Sequence, residues 1–64
     1  MSQRDAILQH LRRGKSITPL QAWRDFRCYR LGARIYDLRQ QGHPIKRRLI
    51  EDGEHRFAQY WMAR

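Results

Sequence analysis

Apolar residues along the chain fall into three stretches of helical spacing, followed by two of extended character. Ala6, Ile7, Leu8 and Leu11 predict a first helix over about residues 3–13. Ser2 and Asp5 form a capping-box-like pair at its start, Arg12 and Arg13 suit the negative end of its dipole, and Gly14 can take the left-handed position that ends it. Lys15, Ser16 and Ile17 make a short extended connector. Thr18 is then an N-cap, and Pro19 a favoured first helical residue. Leu20, Trp23, Ala22 and Phe26 give a second helix, over 19–26, its inner face, with Gln21, Arg24 and Asp25 outside. Leu31, Ile35 and Leu38 form the inward stripe of a third, over about 29–41. Its opposite face carries Tyr29, Arg30, Ala33, Tyr36, Asp37 and Gln40. Gly42 stops that helix, and Pro44 forbids its resumption.

Beyond Pro44 the period changes. Ile45 to Ile50 is extended and basic, residues 51–54 contain an Asp-Gly turn signal, and Phe57 to Met62 is a second extended run. A hairpin wing over about 45–62 therefore follows the helices, with Ser16 and Ile17 available as a minimal third strand. The second and third helices, joined by a tight turn, have the helix-turn-helix arrangement. The fold class is α+β: a single winged helix-turn-helix domain over 1–64, three helices followed by a two-stranded hairpin.

Charge changes the picture from fold to partner. Fourteen Lys and Arg oppose six Asp and Glu, a net +8, and twelve of the cations are Arg. Seven of them lie between positions 27 and 48 against Asp37 alone, so the charge is concentrated on the third helix and first wing strand. That concentration points to a polyanion. A chain of 64 residues has too thin a core for a deep enzyme cleft. It holds no glycine-rich phosphate loop and no recognisable catalytic set, so no enzyme and no cofactor are expected. Cys28 with His10, His43 and His55 lacks metal-ligand spacing and is read as packing. One cysteine makes no internal disulfide. Neither a targeting segment nor a membrane span is expected, and the expected location is the bacterial cytoplasm, at the nucleoid.

The runs ITPLQAWRDF and YRLGARIYDLRQQGHPIK, with the closing Asp-Gly hairpin, resemble a family of very small winged helix-turn-helix proteins of phages and prophages. The most specific part is LGARIYDLRQQGHPI, and the resemblance spans Ile7 to about Tyr60. It implies DNA binding and gene regulation.

Major-groove reading needs side chains that reach base edges from the first turns of a helix, with small residues beside them. Tyr29, Arg30 and Ala33 meet that description, Arg30 reaching either guanine or phosphate. The expected DNA-binding set is Arg27, Tyr29, Arg30, Ala33, Arg34, Tyr36 and Gln40 with Lys46, Arg47 and Arg48 on the wing strand. Arg34 is expected to pair with Asp37, and Arg39 to cover the hairpin with its stem. Consecutive cations 46–48 alternate faces, so at most two point the same way. Glu51, Asp52 and Glu54 make the wing tip acidic and unsuited to entering a groove. Trp23 is read as core. On the last strand Phe57, Gln59 and Trp61 oppose Ala58, Tyr60 and Met62. One of these apolar faces is spare, and that of Phe57 and Trp61 is read as either core rim or a surface for a second copy or another protein. The partner reading is double-stranded DNA, bound by a regulator. The rivals are an excisionase-like architectural protein and a phage inhibitor of a host defence protein. RNA binding is disfavoured by the lack of an aromatic stacking platform.

Overall fold

The computed structural model of the protein describes residues 2–63, so Met1 and Arg64 of the expected domain lie outside the described residues. The order is α1 (Gln3–Arg12), α2 (Pro19–Phe26), α3 (Leu31–Gln40), β1 (Ile45–Asp52) and β2 (His55–Met62). This is the expected arrangement of three helices and an antiparallel hairpin.

Local chemistry starts each of the first two helices. Ser2 Oγ accepts the Asp5 N–H at 3.1 Å. At α2 the cap is reciprocal: Thr18 Oγ1 accepts the Gln21 N–H at 3.3 Å, and Gln21 Oε1 accepts the Thr18 N–H at 3.1 Å. Gln3 Nε2 donates to the Phe26 and Arg27 carbonyls at 3.1 and 3.0 Å, tying the start of α1 to the end of α2. These carbonyls are among those a helix end leaves without internal partners.

The turn between α2 and α3 departs from the periodicity. Arg27 is left-handed, φ 55° and ψ 35°, and its N–H donates to the Trp23 carbonyl at 3.0 Å. Cys28 follows, donating to the Ala22 carbonyl at 3.0 Å, and is buried. The chain reversal uses the residues that spacing assigned to the start of the helix. The third helix therefore begins at Leu31, and Arg30 is its N-cap, without a side-chain cap bond.

The core is Ile7, Leu8 and Leu11 from α1, Ile17, Ala22, Cys28, the α3 stripe of Leu31, Ile35 and Leu38, and Ile45 with Tyr60 from the sheet. Phe26, Ala58 and Met62 pack against it. Leu20 and Trp23 do not belong, at 69% and 37% exposed, contrary to their reading as inner-face residues. The reason is angular. Ala22 and Phe26, four apart, share the inward line of a two-turn helix, which leaves Trp23 on its flank and Leu20 on the far side.

The hairpin register pairs Ile45 with Met62 and runs without a bulge to Asp52 with His55. Gly53 and Glu54 form the loop, and Gly53 takes φ +62°, as the first position of a type II′ hairpin turn favours. The connector completes the sheet: the Ile17 N–H donates to the Tyr60 carbonyl at 2.8 Å, and the Tyr60 N–H to the Ile17 carbonyl at 2.9 Å. Cross-strand partners share a face. Ile45, Arg47 and Leu49 thus lie with Met62, Tyr60 and Ala58 on the helix-bearing side, and Lys46, Arg48 and Ile50 with Trp61, Gln59 and Phe57 on the reverse side.

Candidate nucleic-acid interface

Leu31, Ile35 and Leu38 are each no more than 3% exposed, so the α3 axis is fixed by its buried stripe. The remaining surface must then face outward. Tyr36 is 62% exposed, Gln40 and Gly32 are exposed, and Ala33 is half-buried. Gly32 is a residue that sequence spacing did not single out. A Cβ built on it would meet nothing within 4 Å, so neither packing nor a positive φ demands glycine there. With Ala33 it makes the first turn of α3 the least obstructed part of the helix surface. The available signal was the Gly-Ala pair itself, of which only Ala33 was read as a site of close approach.

Arg30 and Tyr29 flank that turn from outside the helix, not from within it as expected. Both are exposed, Tyr29 at 83%. Tyr29 packs against Trp23 with ring centroids 4.4 Å apart and planes inclined by 30°, and the Arg27 guanidinium lies 5.4 Å from the Trp23 centroid. Sequence reasoning assigned Trp23 to the core. In the fold it is the middle of a surface knuckle that props Tyr29 and Arg27 beside the start of α3. The energy of such contacts is modest, about 0.5–1 kcal/mol for an exposed cation–aromatic pair, and their consequence is orientation.

The expected pairing within α3 is present: Arg34 Nη2 lies 3.5 Å from Asp37 Oδ2, one turn along, with both side chains a little over a third exposed. In that setting the pair stabilises the helix by only about 0.2–0.5 kcal/mol, and it occupies the one acid of the segment. Arg39 Nε donates to the Ile45 carbonyl at 3.1 Å, so its head is committed to the start of β1.

The wing cations divide. Arg47 is exposed on the helix-bearing face of β1, the strand that α3 contacts. Lys46 and Arg48 are exposed on the reverse face. The strand 46–48 therefore does not extend the α3 surface as a unit, and Arg47 alone adds to it. The acidic tip bears Asp52 and Glu54, with Glu51 3.6 Å from Arg56.

The spare aromatic face of β2 is the one with Phe57 and Trp61, both half-buried. Cys28 is packed in the core, and His10 Nε2 bonds the Ser16 carbonyl at 2.8 Å while its ring meets Phe26 edge-on at 5.5 Å. Those contacts give both residues structural work. Among the described residues no group of three or more His, Cys, Asp or Glu is placed to hold a metal ion. Among them, too, no helix is long and apolar enough to cross a membrane.

The arrangement offers exposed Arg27 and Arg30 just before α3 and the hydrogen-bonding side chains of Tyr36 and Gln40 along it, with small residues at its first turn. A family model described as a winged helix-turn-helix domain matches residues 2–64. No curated protein and no solved structure matches the chain.

Proposed function

From the premise that the chain belongs to the winged helix-turn-helix domain family, whose fold points to DNA binding, we propose that it is a duplex-DNA-binding regulator of the phage or prophage type. The reading is carried by one observation: the outer surface of α3 opens at Gly32 and Ala33 between Arg30 and Tyr36. That surface enters the major groove, where Arg30 is placed to donate to guanine O6 and N7, with Tyr36 and Gln40 following along the groove. Arg27 and Tyr29, held by Trp23, grip a flanking phosphate, and Arg47 reaches the backbone from the wing. Arg34, paired with Asp37, contributes charge more than base contact. Lys46 and Arg48 point away from this surface and have no part in it.

Selection of bound sequences from a random duplex pool tests the proposal. The intact protein enriches one site. Arg30→Ala relaxes discrimination at one base position by about 5- to 150-fold, the equivalent of a 1–3 kcal/mol base contact. Equal loss on every sequence would reassign Arg30 to phosphate. On long fragments the regulator gives one discrete shifted complex, whereas a ladder of bent complexes would favour an architectural, excisionase-like role.

A further inference from the structure

The reverse face of the sheet carries a second combination of charge and aromatic surface that α3 does not use. Register places Lys46 beside Trp61 and Arg48 beside Gln59 on this face. The Trp61 indole borders two shallow hollows, one shared with Lys46 and the other with Arg48 and Ser16, and Gly14 rims both. Having no side chain, Gly14 adds no bulk to either hollow.

The walls are held in place. The Arg48 guanidinium lies 6.0 Å from the Trp61 centroid and donates to Gln59 Oε1 at 3.1 Å, while Gln59 Nε2 donates to Ser16 Oγ at 3.0 Å. Lys46 and Arg48, two residues apart on one strand, are separated by about 7 Å, and both are exposed. Lys15, also exposed, lies on the adjoining connector. Along this face of the hairpin the nearest acid is Asp52, at the tip.

We propose that this face binds single-stranded DNA, with one base stacked on Trp61, the aromatic platform that the sequence was expected to lack, and the flanking phosphates held by Lys46 and Arg48. A duplex keeps its base faces stacked inside and could engage the cations but not the indole. An unpaired strand engages both, the pairing of aromatic platform and cationic track on which single-strand binding rests. The proposal goes beyond the duplex reading and shares no residue with it, so one molecule can hold a duplex on α3 and an unpaired strand behind the wing.

The test titrates full-length protein carrying Trp23→Phe, in which Trp61 is the sole tryptophan, with oligodeoxythymidine of about 8 nucleotides, inside the range of known single-strand sites. Binding quenches Trp61 fluorescence, and in protein that keeps Trp23 saturating duplex does not displace a labelled oligonucleotide. Trp61→Leu, followed by anisotropy of a labelled oligonucleotide, and the double variant Lys46→Gln/Arg48→Gln each weaken oligonucleotide binding by roughly tenfold or more. Duplex affinity stays unchanged in both, and circular dichroism verifies their fold. The double variant alters only exposed side chains and keeps the test decisive if Trp61→Leu unfolds.

Absence of quenching, displacement of the oligonucleotide by duplex, or equal loss of both affinities overturns the proposal. So does a dimer in sedimentation that buries Trp61 and excludes the oligonucleotide. If the oligonucleotide binds at Trp61 and duplex does not bind at all, the duplex reading fails and this one stands. Duplex binding that depends on Arg30, without quenching, overturns the single-strand site and leaves the duplex reading in place.

Discussion

Gly32 stands in the first turn of α3, where glycine costs less than the about 0.5–1 kcal/mol it loses to alanine in a helix interior, and no neighbour occupies the space its Cβ would fill. On the proposed reading, a close approach of the α3 backbone to DNA accounts for it. Gly32→Ala is therefore expected to raise the thermal midpoint and at the same time weaken duplex binding. A stabilised variant with unchanged affinity would remove the first turn of α3 from the interface. Asp37 gives a complementary prediction. Its carboxylate pairs with Arg34 on the proposed DNA surface, so Asp37→Asn should tighten binding to every duplex sequence by a fewfold factor without changing the preferred site. Fluorescence anisotropy with specific and random duplexes measures both effects. At this scale sequence reading was strongest where spacing decides contact, as in Arg34 with Asp37, three apart on one helix. It failed at Trp23, because hydrophobicity alone does not tell a two-turn helix which line of residues faces inward.

At the scale of elements, α2 depends on its reciprocal cap more than on its narrow buried line, since Ala22 is its single fully buried side chain. Thr18→Ala should cost about 1 kcal/mol, within the 0.5–2 kcal/mol range for lost N-caps, readable in urea unfolding. Loss of α2 would free Trp23 and so loosen Tyr29 and Arg27. The same variant is thus expected to weaken DNA binding even where the protein remains folded. Helix existence and order were legible because caps, glycines and apolar periods agree along the chain. The beginning of α3 was not. A left-handed arginine at 27 carries no composition signal, and the burial of Cys28 depends on the packing of the elements around it. The hairpin was legible from its Asp-Gly signal, although the turn takes Gly53 and Glu54 as its central pair.

For the whole molecule, with a net charge of +8, the pleat of one strand divides Lys46, Arg47 and Arg48 between two surfaces. Alternation predicted that positions 46–48 could not act together. Which of them join α3 follows only from the face on which Ile45 and Tyr60 are buried, a tertiary fact. The proposed duplex surface then rests on Arg27, Arg30 and Arg47, with α3 between them. The most direct test of that account is duplex affinity as a function of salt for the intact protein and for Arg47→Ala. Release of counterions by the phosphate contacts of Arg27 and Arg47 predicts a log–log slope of about −2, reduced in magnitude by about 1 in Arg47→Ala, while Arg48→Gln leaves it unchanged. A flat slope, or no duplex binding at low salt, would contradict the central claim.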